Sequence, residues 1–396
     1  MKIIHTSDWH LGHIIEGRYS QEDEQRSMLA QMAQMVRNHQ PDAFVISGDV
    51  YDTTVPSAST QKMLTDALVE MHQANPTMKI FCIAGNHDSG AKHMIFSNAW
   101  KALNVQMVGN IYNDSPLEDY IFKLDGIGYF VTVPFAADRF MPDHVYTRLY
   151  DLVQEKNDEN LPVILLAHTA VGCCDSTGHD LADDNQVGGI NRLKLEELGT
   201  GYDYVALGHI HKQQQLDSDG KVWYCGTPLA VSFDEAIPGN DHGLLLVQCG
   251  AHGNEVKVEH LHIDNKKPLV SIPTTGFGKW DDVLDEFRQY PDDIPAYIRL
   301  NVEVKDYLTS GANDMARAVA DGKKCTFCKI NAQRVQENTT ASGSKSYTTS
   351  ELKKKDPVEV AQMWFKEVKG WDGLDERIKD VVSKAKEEIQ ASKNKE

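Results

Sequence analysis

Two histidines stand two positions apart in the stretch "YVALGHIH", directly after an apolar run. Side chains two apart on an extended strand point to the same side, so His209 and His211 can face one ligand. Four earlier apolar runs also finish on polar side chains, within "KIIHTSDWH", "DAFVISGD", "KIFCIAGNHD" and "PVILLAHT". The polar residues at these five ends are Asp8, His10, Asp49, Asn86, His87, Asp88, His168, His209 and His211.

These side chains offer carboxylate oxygens, an amide oxygen and imidazole nitrogens, with no thiolate. Such a donor set suits Mn²⁺, with Fe²⁺ or Mg²⁺ as alternatives, better than a closed structural zinc. It also holds more ligands than one ion needs, whereas two ions bridged by one carboxylate would use them. A pair of that kind activates a water and clamps the oxygens of a phosphoryl group, so we predict a binuclear centre for phosphoester hydrolysis.

A single histidine is more often a hydrogen-bonded structural residue than a ligand. We give that interpretation to five others, with a substrate contact left open for His13: His5, His13, His39, His72 and His93. The larger set differs because glycines precede it in "GD", "GNHD" and "GHIH", where the chain must turn sharply after each strand. We therefore treat the residues of the five strand ends as one site.

Residues 1–265 alternate short apolar strands with helix-like runs at 21–38 and 57–74, whose apolar spacing is near 3.6. Strand–helix–strand alternation predicts an α/β fold, and the later strands indicate a second sheet. The fold class is thus an α/β two-sheet sandwich flanked by helices. In open α/β sheets, ligands gather beyond the carboxyl ends of the strands, where the polar residues lie.

Three further segments follow. Residues 268–336 read as a small α/β unit, and the polar, Ser- and Thr-rich stretch 337–350 reads as a linker. Residues 356–391, within the segment 351–396, read as two amphipathic helices whose apolar faces must be covered. Either they fold back on their own domain, or they form a docking module for another protein, which we favour.

The net charge of −18 argues against a protein that coats nucleic acid by itself. Residues 351–396 hold 11 basic and 11 acidic side chains, so residues 1–350 carry the whole excess. The seven cysteines are predicted to be reduced thiols, with a zinc site at "CTFC" (325–328) as the alternative. With no signal-peptide pattern and no run of about 18 apolar residues, we expect a cytoplasmic protein without a membrane span.

The motifs "DWH", "GDVYD", "GNHD", "AHT" and "GHIH", in this order, resemble the calcineurin-like metallophosphoesterases. The stretches "MKIIHTSDWHLGH" and "YCGTPLAVSFDEA" and the order of the trailing segments are similar to the nuclease subunits of double-strand-break repair complexes. The resemblance covers nearly the whole chain. It implies a DNA exo- and endonuclease that hydrolyses phosphodiester bonds with two metal ions and acts with an SMC-like ATPase.

By position, the resemblance implies one metal on Asp8, His10 and His211 and another on Asn86, His168 and His209, with Asp49 bridging. It implies that His87 contacts the scissile phosphate and protonates the leaving oxygen, with Asp88 able to orient it. It also implies a capping domain at 268–336, docking of 351–396 on the ATPase, and a homodimer within a heterotetramer. One departure is Asp52, where eukaryotic and archaeal relatives often place a second histidine.

Two other functions fit the sequence less well. A phosphatase or small phosphodiesterase of the same superfamily is disfavoured, because phosphoprotein phosphatases carry "GDxxDRG" and "GNHE" and a compact phosphodiesterase needs neither a cap nor linked helices. A non-catalytic scaffold would be expected to lose ligands, yet all seven are present. The sequence leaves open the digestion polarity, the preferred DNA end, the physiological metal and the dimer interface.

Overall fold

The computed structural model describes residues 1–177, 192–305, 307–308, 310–335 and 362. Met1–Arg334 form one compact unit and Val335–Glu396 a second. The predicted linker and the helix pair therefore lie outside the described residues, apart from Gln362, and remain predictions. Among the described residues, no helix combines the length and the apolar character that a membrane crossing requires.

The first sheet has six strands, and its four consecutive parallel strands carry three of the five polar ends. Two antiparallel strands extend the other edge. In spatial order the strands are β14 (Val256–His262), β13 (Gly243–Cys249), β1 (Lys2–Thr6), β4 (Ala43–Ser47), β5 (Lys79–Ile83) and β6 (Val105–Val108).

The second sheet also has six strands, and four of them run parallel. In spatial order they are β11 (Gln214–Gln215), β12 (Val222–Tyr224), β10 (Tyr204–Gly208), β9 (Val163–His168), β8 (Gly128–Val133) and β7 (Ile121–Leu124). A two-stranded hairpin, β2 (Ile14–Ile15) with β3 (Tyr19–Ser20), follows the first polar end.

The two sheets face each other across one apolar core, and alternation along β4 shows how the layers form. Ala43 and Val45 enter the core between the sheets, whereas Phe44 and Ile46 pack on the outer face against helices. Those helices bury the stripes predicted for them. The helices of this region are α1 (Glu22–His39), α2 (Ala58–Ala74), α3 (Gly90–Met94), α4 (Ser97–Lys101) and α5 (Val145–Gln154).

The helix predictions at 21–38 and 57–74 agree with α1 and α2 to within one residue. Ser57 caps α2, because its side chain accepts the backbone N–H of Thr60 at 3.1 Å. The sequence patterns did not mark β6, β7, β8, β14 or α5, since their short runs lie in a region of irregular spacing. Three short 3₁₀ turns complete this part, at Leu117–Tyr120, Asp138–Phe140 and Leu195–Leu198.

The third sheet has four parallel strands with β17 between its neighbours, and a core of its own. Its elements are β15 (Leu269–Ile272), β16 (Gly278–Lys279), α6 (Trp280–Gln289), β17 (Tyr297–Val304), α7 (Ala312–Ala320) and β18 (Thr326–Arg334). We call this sheet and its helices, residues 269–334, the cap unit. It belongs to the same compact unit as the sandwich, so the predicted domain boundary stays a prediction.

All seven cysteines are free thiols. Cys325 is buried in the core of the cap unit, and Cys328 packs against a cluster that includes Phe233 and Tyr297. The groups able to hold a metal among the described residues lie in the sandwich and include no cysteine.

Candidate metal centre

The residues of the five predicted strand ends meet at the carboxyl ends of the parallel strands of both sheets. Strands β1, β4 and β5 of the first sheet lead into Asp8, Asp49 and Asn86. Strand β9 ends on His168, and β10 leads into His209. The site thus lies across the junction between the sheets, which only the packing of one sheet on the other creates.

The turns after the strands adopt backbone conformations that side-chain-bearing residues seldom take. Asp8, His10, Asp49 and His209 have φ of 53°, 44°, 50° and 103°. Such conformations cost free energy and persist only where the surrounding structure holds them, typically at functional sites. The preceding Gly48 is required for a further reason: a Cβ there would meet His168 Nδ1 at 2.3 Å.

One half of the site is built around His10 and His211, whose Nε2 atoms face each other at 3.2 Å. His211 Nδ1 donates to Glu235 Oε1 at 2.9 Å, and His10 Nδ1 lies 3.5 Å from Asp52 Oδ1. With the Nδ1 protons directed at carboxylates, both Nε2 atoms present lone pairs to the same point. Asp8 joins these two imidazoles in a group whose ligand atoms lie within 4.8 Å of one another.

The other half is built around His168. Its Nδ1 donates to the Ser47 carbonyl at 2.8 Å, which leaves Nε2 as the acceptor. Nε2 lies 2.9 Å from Asn86 Oδ1 and 3.4 Å from Asp49 Oδ2. Asn86 Oδ1 is also 3.0 Å from His209 Nδ1. Asp8, Asp49 and His168 form the second group with ligand atoms within 4.8 Å.

Asp49 connects the two halves. Its Oδ2 lies 3.4 Å from His168 Nε2 and 4.0 Å from His10 Nε2. Its Oδ1 accepts the backbone N–H of His87 at 2.8 Å, so the carboxylate cannot rotate away. This is the position that a bridging carboxylate requires.

The electrostatics of the site favour a cation. Burial lowers the pKa of His10, but Asp52, Asp49 and Asp8 outweigh it and raise the pKa to about 9. Burial likewise lowers the pKa of His168, and Asp49 with Asp8 reverses the shift, again to about 9. Carboxylates buried among imidazoles concentrate negative potential at one place, which a proton or a metal ion relieves.

The donor set therefore fits a pair of divalent ions. Electron-rich atoms, an imidazole nitrogen with an amide and a carboxylate oxygen, converge at His168, and two imidazole nitrogens converge at His10 and His211. Neutral imidazoles would repel one another at such distances unless a positive charge lay between them. When bound, two divalent ions supply an activated water and neutralise phosphoryl oxygens.

His87 lies at the opening of the site and is only partly buried. Its Nδ1 donates to the backbone carbonyl of Asp52 at 2.9 Å, and its ring meets the His10 ring edge-on with centroids 4.9 Å apart. It belongs to neither group of candidate ligands. This placement leaves Nε2 as the nitrogen not engaged by Asp52.

Asp88 has other partners than the one we expected from the sequence. Its carboxylate accepts the backbone N–H groups of Gly85, Val50 and Tyr51 at 2.9–3.1 Å and lies 3.4 Å from His93 Nε2. The ring of His87 is instead oriented by the Asp52 carbonyl. Asp88 thus joins the loop after β4 to the loop after β5, and its contacts are structural.

Sequence reasoning missed Glu235 as a site residue and left the role of Asp52 open. Glu235 is 2% exposed and holds His211 from a position 24 residues further along the chain. Burial raises its pKa, but His211 outweighs burial and lowers the pKa to about 2. The motif "SFDE" carries no periodic signal that would have marked this contact.

Asp52 stands between two histidines, with its Oδ1 2.9 Å from His13 Nδ1 and 3.5 Å from His10 Nδ1. Burial raises the pKa of Asp52, yet hydrogen bonds from His10 and His13 outweigh it and hold the pKa well below the usual range. His13 therefore has a carboxylate partner in the second layer around the site. His5 lies in the core beside Tyr204, as expected of a structural histidine.

Comparison with known proteins decides the family. The model of the family described as "Calcineurin-like phosphoesterase" matches residues 1–213, more than half of the chain. The chain belongs to the calcineurin-like phosphoesterases. The match spans all five ligand-bearing strand ends, so this phosphoesterase has its family's site residues in the part of the chain that the family model covers.

Two curated relatives extend the similarity beyond that region. The phosphoesterase is 28% identical over 310 residues to SbcD, one of the two subunits of the nuclease SbcCD, from Rhodobacter capsulatus, covering 72% of this chain and 74% of the relative. It is 25% identical over 378 residues to the protein of the same name from Escherichia coli, covering 89% and 90%. A dimetal phosphatase structure from Danio rerio is 12% identical, with a TM-score of 0.39 over 66% of this chain and 98% of that one.

Proposed function

We propose that this phosphoesterase is a two-metal DNA nuclease that cleaves phosphodiester bonds. The observation that carries the metal-dependent chemistry is Asp49, whose Oδ2 lies within 4.0 Å of imidazole nitrogens from both halves of the site. Similarity to SbcD of the nuclease SbcCD along 89% of the chain supports DNA as the substrate. Mn²⁺ suits the donor set best, with Mg²⁺ or Fe²⁺ as alternatives.

The residues of the chain have separable tasks in this proposal. Asp8, His10 and His211 would hold one ion, and Asn86, His168 and His209 the other, with Asp49 shared. His87 stands at the opening, where its ring can contact the scissile phosphate and donate a proton to the leaving oxygen. The buried strand-end geometry keeps all seven ligands in place before substrate arrives, which reduces the reorganisation that catalysis requires.

We also propose a partner. Residues 1–350 carry the net charge of −18, whereas most of a DNA machine's affinity for phosphate comes from Lys and Arg. A protein of this charge binds duplex DNA weakly alone, so an SbcC-type ATPase would supply much of the binding while this chain supplies the cut. Residues 351–396 would dock on the ATPase, and two copies of each chain would form a heterotetramer.

One assay separates the nuclease from the alternative within the family. Purified protein with Mn²⁺ is offered single-stranded DNA, bis(p-nitrophenyl) phosphate and a phosphopeptide, in parallel and at matched concentrations. We expect cleavage of DNA, abolished by EDTA and restored by Mn²⁺, and the Asp49→Asn variant as the inactive control. Turnover of the phosphopeptide without cleavage of DNA would identify a phosphatase instead.

A further inference from the structure

The segment Val231–Glu235 lies between the metal centre and the cap unit, and its last three residues point to different partners. Glu235 faces His211. Asp234 faces Arg299 of the cap unit. Phe233, 1% exposed, packs in a small cluster with Leu269 and Tyr297 of the cap unit. We call this segment the bridging loop.

On the metal side, Glu235 is fixed by the bridging loop itself. Its Oε2 accepts the backbone N–H of Val231 at 3.0 Å, and its Oε1 accepts the hydroxyl of Ser232 at 3.2 Å as well as His211 Nδ1 at 2.9 Å. The carboxylate therefore cannot move without the loop. Because it orients the His211 ring, any displacement of the loop is passed to the imidazole that faces His10.

On the cap side, Arg299 holds the same loop with its whole guanidinium. Its side chain is 7% exposed. Nη1 donates to Asp234 Oδ1 at 2.6 Å and Nη2 to the Phe233 carbonyl at 3.4 Å, while Nε donates to Ser271 at 3.1 Å. The guanidinium also lies over the Phe233 ring, 5.2 Å from its centroid. A planar fork with several partners fixes orientation in a way that a single ammonium contact does not.

Simple attachment of the cap unit does not require this arrangement. Tyr297 donates to the Ser20 carbonyl at 3.1 Å, and Lys329 pairs with Glu16 at 2.6 Å, both between the cap unit and the β2–β3 hairpin. A buried cation is costly unless it is well paired, so a buried Arg299 indicates a need for a defined loop position. A register shift in β17 between Ile298 and Arg299 aims the side chain at the loop.

We propose that Arg299 is a positioning residue for the metal-binding ring of His211, acting through the bridging loop and Glu235. The inference rests on the proposed metal centre. It makes the seating of the cap unit and the affinity for one of the two ions parts of a single equilibrium. By linkage, metal binding at His211 strengthens the attachment of the loop to the cap unit to the same extent.

The test is a Mn²⁺ titration by calorimetry on full-length protein, without substrate. Outer partners of a ligating histidine are worth about 10–100-fold in metal affinity. We expect Arg299→Met and Glu235→Gln each to weaken one ion about tenfold while the other stays within about twofold. Arg299→Lys, which keeps the charge without the fork, should restore part of the loss. The double variant should be no weaker than Glu235→Gln, because both act on one contact.

Lys329→Met is the matched control, since it removes a cap-unit ion pair that does not reach the bridging loop. It should leave both affinities unchanged. Asp234→Asn guards against misfolding of the arginine variants, because the Asp234 side chain is 70% exposed, and it should weaken the same ion. Equal losses in Arg299→Met and Lys329→Met, or multiplying losses in the double variant, would overturn the inference. Absence of Mn²⁺ binding in the unaltered protein would instead overturn the proposed function itself.

Discussion

His10 and His211, 201 positions apart in the chain, place their Nε2 atoms 3.2 Å from each other. Each ring is turned by a carboxylate on its other nitrogen, Asp52 for His10 and Glu235 for His211. The pair is thus aligned for a common cation by two acidic residues that do not themselves belong to the candidate ligand groups.

Replacing Asp49 with Asn should abolish cleavage and remove bound metal. Asn keeps an oxygen for the His87 backbone N–H but lacks the second anionic oxygen that faces His168 and His10. Metal content by elemental analysis checks the prediction. The matched control is Asp203→Asn, which alters a buried carboxylate at the opposite end of β10 and should retain metal. Two tightly held ions in the Asp49 variant would rule out the bridging role.

Replacing His87 with Ala should leave metal binding intact and slow cleavage by about 10²–10⁴, the usual cost of losing a general acid. The reason is its position at the opening, outside both candidate ligand groups. Calorimetry with Mn²⁺ and single-turnover cleavage of DNA measure the two effects separately. A loss of metal in this variant would make His87 a ligand and contradict the assignment.

Replacing Asp52 with Asn should weaken Mn²⁺ binding by about tenfold, the lower end for an outer carboxylate, with little effect on the rate at saturating metal. The backbone carbonyl that holds His87 is retained, whereas the negative charge beside His10 is lost. His13→Asn is the control, because it breaks the other contact of Asp52 without touching His10. If both variants bind Mn²⁺ as the original protein does, Asp52 has no part in orienting His10.

Replacing His5 with Asn should flatten the loss of stability in mild acid. Burial lowers the pKa of His5 to about 3, below its unfolded value near 6.5. Folding therefore disfavours the protonated form, and stability falls as the pH drops below 6.5, by about 1.4 kcal/mol per pH unit. Urea unfolding in EDTA between pH 6.5 and 4.5 compares the slopes, and identical slopes in both proteins would contradict the shift. Lowered carboxylate values, such as that of Glu235, act only below this window.

Replacing Phe365 and Ile378 with Asp should abolish co-purification with an SbcC-type ATPase and ATP-dependent cutting of duplex ends. Both residues lie on predicted apolar helix faces within 356–391, and roughly ten such side chains at about 1.5–3 kcal/mol each suffice for a stable complex. Mn²⁺-dependent cleavage of single-stranded DNA should persist, also in a chain ending at Lys345. Collapse of the nuclease activity in either variant would favour folding back on the catalytic domain.

The sequence by itself determined the candidate ligands and the elements that carry them. Apolar runs that end on Asp8, Asp49 or His168 are local signals, because strand and helix periodicity depends on neighbouring residues. For the same reason the helices α1 and α2 and the main strands of the cap unit, β15, β17 and β18, could be predicted.

Only the tertiary structure decided which residues support those ligands. Glu235 beside His211, Asp52 beside His10, Asp88 between two loops and Arg299 on the bridging loop are contacts between side chains distant in sequence. Such contacts follow no period, since they depend on how one sheet packs on the other and where the cap unit rests. The sequence therefore names the atoms that can bind metal, whereas the packing of the layers fixes their distances and orientations.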